Sequence, residues 1–548
     1  MKLLNHAILA AAILGTSFVC LSLNGPVLAD SNFGTLPTPT PLTRPRMTPS
    51  PSPTPTPIAT PSPTPATVSI QTIEELQSKI RQRLFDPLVR RGRAGIKIAS
   101  LNSGKVIFEQ DSEKYFMPAS NMKNFTVAAA MEKLGPDFKF VTSVYANAMP
   151  DSNGTIKGDL RIFGRGDISI STAFFGTSVT DPETYYKGID RLVDRISAAG
   201  IKKIEGSIVG DESYFKGFYI PGTWEWDDLQ SYYGAEVSAL PLNDNAVDIS
   251  VSPGTAGGPC NVMISPANKL VQVVNLCSTG RSDSVRTLSV VKKLDRNIVE
   301  VSGAMPAGKP PYVNSIAITH PADLFVAVLK RRLESTGIVV TGDSRVLPPN
   351  VQSQQQLEIT KLESPPLSVI AGKTLKPSQN MFTETILWTL GEQLGRSLSP
   401  TGDSSTLGIN QVKMFLKDIG AADDGILQYD GSGLSRHDLI TPSAVVTLYT
   451  YMAKQSKNAQ VWRESLTIAG VDGTLANRLK GTAAEANFRG KTGTIDQVSA
   501  LSGYMTTGAG EQLVVSIIVN NVGGATRTRT SLADDIVTAL ANFNGKID

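Results

Sequence analysis

Residues 120–134 read Ser-Asn-Met-Lys followed by NFTVAAAMEKL, a hydroxyl and an amine three positions apart at the head of an apolar run with helical spacing. Positions i and i+3 share one face of a helix, so Ser120 and Lys123 stand side by side near its N-terminus. That is a nucleophile with a base in reach. An ordinary lysine, with a pKa of about 10.4, is almost wholly protonated at pH 7, and neutralising it there costs about 4.6 kcal/mol. Burial and a second cation would depress it. Taken alone the pattern decides little, because Ser-x-x-Lys recurs at Ser213–Lys216 and Ser289–Lys292, in segments that read as strand or loop.

Two later elements have the chemistry to complete such a site. Ser378-Gln379-Asn380 sits between the loop GKTLKP and a helical run MFTETILWTL, where a hydroxyl and an amide suit proton relay and substrate orientation. The plainer reading is a helix N-cap, with Ser378 satisfying free backbone N–H groups. Lys491-Thr492-Gly493-Thr494 lies on an apparent strand edge. There a cation and two hydroxyls could receive a carboxylate, and the glycine would let a ligand approach the backbone. Its plainer reading is a solvated edge strand.

Around these motifs the chain has the composition of a globular protein: 548 residues, 41% hydrophobic and 18% charged, a length that allows roughly three domains. A formal charge of +3 lacks the electrostatic footprint of a nucleic-acid binder. The three histidines, His6, His320 and His437, are too far apart for His-x-x-x-His zinc spacing. Zinc hydrolysis is thereby set aside, and a Ser-His-Asp triad has few candidates.

Residues 1–29 read as a secretory signal, with Lys2, an apolar run from Ala7 to Leu23, and Val27-Leu28-Ala29 as a small-residue cleavage site. The alternative is an uncleaved anchor, although the strongly apolar run falls short of the ~20 residues that span a bilayer. Cys20 leaves with the signal. Residues 30–67, dominated by Pro, Thr and Ser, form an extended linker that cannot bury a core. Cys260 and Cys277 remain, and an even number in an oxidising compartment suggests one disulfide closing a loop of 17 positions, with two separate buried thiols as the alternative.

Folded sequence starts near Val68 with a helical run capped by Thr72, then AGIKIAS and KVIFEQ flanking the turn LNSGK, a hairpin signature. At the far end FRGKTGTI, SALSGYMTT and QLVVSIIVNNV read as three more strands, with a final amphipathic helix after Arg529. Strands from both chain ends with helical sequence between them predict an α/β (α+β) domain built on an antiparallel sheet and interrupted by a long β-rich insertion.

Ser-x-x-Lys, then Ser-x-Asn, then Lys-Thr-Gly, in that order and each in the expected helix, loop or strand context, resembles the motif set of penicillin-binding proteins and serine β-lactamases. The separation of 258 positions from Ser120 to Ser378 narrows the resemblance to the low-molecular-mass class C penicillin-binding proteins, the D-alanyl-D-alanine carboxypeptidase/endopeptidase family. GDLRIFGRGD, IEGSIVGDESYF, GTWEWDDLQSYYGA and YDGSGLSRHDLITP extend the likeness over nearly all of the folded chain. Gln379 departs from it, since many relatives carry Asp there.

The resemblance implies a peptidase domain of residues 68–147 and 349–548 with two insertion subdomains, 148–246 plus 315–348 and 247–314. It implies Ser120 as nucleophile and Lys123 as base, with Ser378 relaying a proton, Asn380 orienting the acyl amide, and Lys491 depressing Lys123. Thr492, Gly493 and Thr494 receive the substrate carboxylate, while Asp228, Tyr233 and Arg436 line a pocket for the third residue of the peptide. Trp224 and Trp226 read as packing. The substrates implied are peptidoglycan peptides ending in D-Ala-D-Ala, with β-lactams as covalent ligands, no metal or organic cofactor, an exported location, and peripheral contact with membrane or wall. A serine β-lactamase and a non-catalytic penicillin- or wall-binding module remain the alternatives.

Overall fold

The helix predicted after Thr72 runs Ile73–Leu84, and Thr72 and Glu75 close a reciprocal capping box that satisfies two free backbone donors. The chain then enters a six-stranded antiparallel sheet whose spatial order is Val106–Gln110, Arg93–Ser100, Gln512–Asn520, Val498–Thr506, Arg489–Ile495, Thr467–Ile468. Two strands from the start of the domain are thus paired to four from its end. In this computed structural model residues 70–176, 181–348 and 356–547 are described; the signal-like segment and the Pro/Thr/Ser linker lie outside them.

The central strand Gln512–Asn520 explains why both faces of this sheet are covered. Leu513, Val515, Ile517 and Val519 alternate onto one face, against Leu76 and Ile80 of the first helix and Leu532, Ile536 and Leu540 of the last. Val514 and Ile518 point the other way, into a core with Phe125, Ala129, Ile386 and Tyr449. Each such side chain contributes about 1.5–3 kcal/mol on burial, so a strand apolar on both faces is held from both sides. The last helix spans Thr526–Ala541 and starts before the expected boundary at Arg529. Arg529 is buried in its first turn and donates to the carbonyl oxygens of Val522 and Gly524, tying the helix to the strand's exit.

The helix Met122–Lys133 lies in the second core, beside Asn380–Leu390 and Pro442–Lys454. Ten of its twelve residues are buried, Lys123 and Asn124 among them. The intervening sequence forms mainly β structure. A five-stranded mixed sheet has the order Ser344–Val346, Ile208–Asp211, Leu160–Phe163, Val141–Ala146, Leu357–Glu363. Helices Lys187–Ala198 and Pro321–Ser335 share its apolar core, which continues through Val251, Cys260, Cys277 and Val301. No helix among the described residues is long and apolar enough to cross a membrane.

Cys260 and Cys277 are disulfide-bonded, with Cα atoms 5.4 Å apart, and the amide of Cys260 also donates to the Cys277 carbonyl at 3.0 Å. Closing a loop of 17 positions restricts the unfolded chain, a contribution of about 3 kcal/mol. Replacing both cysteines by alanine is expected to lower the unfolding free energy by about that amount in urea titrations. An unchanged midpoint would show that the loop needs no covalent tie.

Candidate active site

A short 3₁₀ turn, Ala119–Asn121, feeds directly into the helix Met122–Lys133 and presents Ser120 half-buried at a cleft of about 1100 Å³. Ala119 has φ +46°, a strained value for a residue with a Cβ. Two glycines make room for this turn. A Cβ on Gly433, whose φ is +79°, would lie 1.9 Å from the Ala119 carbonyl oxygen, and one on Gly493 would lie 2.6 Å from that of Pro118. The neighbour that requires Gly493 is therefore the chain's own backbone, where the sequence suggested a ligand.

Lys123 is fully buried, and its Nζ lies 3.0 Å from Ser120 Oγ. It also donates to Asn380 Oδ1 at 2.6 Å and to the Ser432 carbonyl at 2.7 Å. Lys491, equally buried, donates to Ser378 Oγ at 2.8 Å and to the Thr492 carbonyl at 2.8 Å. The three motifs thus converge on one wall of the cleft. Ser378 is no helix cap: the N-cap position is Gln379, and the Ser378 hydroxyl is taken by Lys491. Nor is Lys491 on a solvated edge.

Burial pushes the Lys123 amine down to about 7, against the opposing charges of Asp430, Glu384 and Asp438. Desolvation is the largest cause of that lowering. Lys491 itself is held well below the ordinary lysine range by burial and by the charge of Lys123. Burial and the neighbouring Asp430 push the Glu384 carboxyl up to about 8 and raise that of Asp438 well above the usual carboxylate range. If neutral Lys123 is the base, acylation by benzylpenicillin rises about tenfold per pH unit below about 7 and levels off above it. Stopped-flow rates between pH 5 and 9 measure this, and a flat profile would remove Lys123 from that role.

This carboxyl cluster escaped the sequence reading. Glu384 accepts from the amides of Gly431 at 3.0 Å and Ser432 at 2.8 Å. Asp430 accepts from Gly433 at 2.6 Å, Ser435 at 2.8 Å and the Trp224 indole at 2.8 Å. Together they fix the turn that aims the Ser432 carbonyl at Lys123. The available signal was Glu384 itself, four residues after Asn380 and the one acid in an apolar helix.

Thr492 Oγ1 is 2.7 Å from Thr474 Oγ1, and both residues line the cleft with the exposed Thr494. Asp228 and Tyr233 line the same cleft, from consecutive 3₁₀ turns, as does Arg436. Arg436 is already engaged: its Nε donates to Glu225 at 2.8 Å and its Nη1 to the Asp496 carbonyl at 3.1 Å. Trp224 is packed, as its buried indole shows, but Trp226 is 69% exposed and lines the cleft.

Fold and site together define a serine hydrolase of the penicillin-binding type. Residues 76–542 match the family model described as the D-Ala-D-Ala carboxypeptidase 3 (S13) family. The D-alanyl-D-alanine carboxypeptidase of Actinomadura sp. (strain R39) is 31% identical over 491 residues, covering 88% of this chain and 87% of the relative. The D-alanyl-D-alanine carboxypeptidase DacB of Haemophilus influenzae is 27% identical over 441 residues, 80% of this chain and 87% of its own. The crystal structure of penicillin binding protein 4 from Haemophilus influenzae superposes with a TM-score of 0.70 at 25% identity, covering 86% of this chain and 99% of that one. Its complex with a novel β-lactam superposes at 0.66 and 24% identity, with the same coverage. The chain belongs to the D-Ala-D-Ala carboxypeptidase 3 (S13) family.

Proposed function

We propose that this protein hydrolyses the terminal D-Ala-D-Ala bond of peptidoglycan peptides through an acyl-enzyme on Ser120, and also cuts D-Ala cross-links. The observation that carries the reading is the buried amine of Lys123, lowered to about 7 and 3.0 Å from the Ser120 hydroxyl. Ser120 Oγ attacks the carbonyl carbon of the penultimate D-Ala while Lys123 takes the hydroxyl proton. The C–N bond breaks, and the leaving amine is protonated through Ser378, which Lys491 holds. Backbone N–H groups of Ser120 and Thr494 form the oxyanion hole, where one donor is worth about 3–4 kcal/mol. Asn380 orients the acyl amide, Thr492 and Thr494 receive the terminal carboxylate, and water releases the acyl group.

Asp228, Tyr233 and Arg436 line a subsite for the polar end of the third peptide residue. The pairing of Arg436 with Glu225 adds an acidic group there, which favours a free amine on that residue. Residues 1–29 direct export, and the linker of residues 30–67 spaces the enzyme from membrane or wall. The insertion divides into the subdomains 148–246 plus 315–348 and 247–314. β-Lactams acylate Ser120 in place of the peptide.

The test is mass spectrometry of the purified protein with benzylpenicillin, followed by peptide mapping and a D-alanine release assay on pentapeptides. A lasting adduct at Ser120 together with D-alanine release supports the reading. Rapid clearance of the adduct with destroyed penicillin would replace it with a β-lactamase, and the absence of any adduct would end the catalytic assignment.

A further inference from the structure

Each residue that follows Ser378 is gripped by the insertion. Gln379 Nε2 donates to Asp244 Oδ2 at 2.6 Å, Asn380 Nδ2 donates to the Tyr233 carbonyl at 2.9 Å, and Met381 Sδ meets Asn245 Nδ2 at 3.6 Å. Ser378 needs such support, because its φ of +67° places a residue with a Cβ in the left-handed region. The grip is itself built from strained backbone. Asn243, Asp244 and Asn245 have φ of +47°, +61° and +57°, three consecutive left-handed residues. Such a turn persists only where its surroundings determine it.

The surroundings here are a set of side-chain and backbone hydrogen bonds. Asn243 Oδ1 accepts from the Thr172 amide and its Nδ2 donates to the Tyr185 carbonyl. Asn245 bridges the Leu242 amide and the Glu236 carbonyl, and Ser171 Oγ donates to Asp244 Oδ1 at 2.8 Å. Asp244 thus has one carboxylate oxygen for its own domain and one for Gln379.

We propose that Asp244 is a positioning residue for Ser378, acting through Gln379, so that the insertion holds part of the catalytic geometry. This inference rests on Ser120 and Ser378 serving in acyl transfer as set out above. The side-chain amide of Gln379 is the donor a carboxylate at 244 requires; a carboxylate at 379 would face it with like charge. Other charged or titratable groups near Asp244 are Asp248, Tyr232, Lys373 and Lys376.

The experiment measures Ser120 acylation by benzylpenicillin in the full chain, with thermal unfolding recorded for each variant. Asp244→Ala is expected to slow acylation about 10- to 100-fold, the scale of a misplaced catalytic group. Asp244→Asn keeps an acceptor for Gln379 and stays near the wild-type rate. Gln379→Asp loses activity relative to wild type as pH rises from about 5 to 8, as the two carboxyls stop sharing a proton. The double variant Gln379→Asp with Asp244→Asn reverses donor and acceptor and recovers the rate at all pH values. Wild-type rates for Asp244→Ala and Gln379→Asp would overturn the inference, and so would a double variant that folds but is no faster than Gln379→Asp. Failure of the wild-type protein to acylate would instead remove the functional reading beneath it.

Discussion

Ser120→Ala is expected to abolish the benzylpenicillin adduct and to reduce D-alanine release about 10⁶-fold, the scale seen when an activated nucleophile is removed from its unit. The expectation follows from position. Ser120 stands at the head of a helix whose Lys123 reaches it at 3.0 Å, and among the described residues no other serine hydroxyl hydrogen-bonds to that amine. The substitution leaves the three donors on Lys123 with two acceptors, Asn380 Oδ1 and the Ser432 carbonyl, so the helix and its neighbours are expected to stay folded. Intact-mass measurement after incubation with the β-lactam checks it. An adduct of unchanged yield on the alanine variant would move the nucleophile elsewhere.

Lys123→Met carries the second largest effect. Loss of a positioned base costs about 10²–10⁴-fold in acylation. This variant also strands buried acceptors, because Asn380 and the Ser432 carbonyl lose a donor, at about 1–3 kcal/mol for each group left unsatisfied. Both consequences are measurable: the acylation rate falls and loses its rise through pH 7, and the unfolding midpoint drops. A variant that acylates at the wild-type rate with the same pH profile would show that another group takes the proton. The two substitutions together also separate chemistry from architecture, since Ser120→Ala leaves the buried amine in place and Lys123→Met removes it.

Much of the site could be read along the chain because its key residues lie in short, local patterns. Ser120 and Lys123 are one helical turn apart, and the hydroxyl and amine of such a pair meet by helix geometry alone. Ser378-Gln379-Asn380 and Lys491-Thr492-Gly493-Thr494 are likewise contiguous, and each had a plainer local reading that only packing removed. Lys491 looked like a solvated edge residue until the sheet order placed its strand between two others and buried its amine. Glu384 stood out only as the one acid in an apolar helix, and its role stayed hidden because the turn whose backbone amides it accepts lies 47 and 48 positions away.

The amphipathic capping helix, the hairpin from Arg93 to Gln110, and the three C-terminal strands follow from alternation and cap chemistry, which act over a few residues and need no partner to be recognised. The sequence by itself therefore determined the order of motifs, the antiparallel sheet, the long β-rich stretch between them and the pairing of Ser120 with Lys123. Tertiary structure alone decided how far Lys123 is desolvated, that Arg436 is paired with Glu225, that Trp226 faces the cleft, and that Asp244 reaches Gln379. The reason is physical. Periodicity and capping are short-range, whereas dielectric environment and pairing depend on which residues hundreds of positions apart the fold places within a few ångströms.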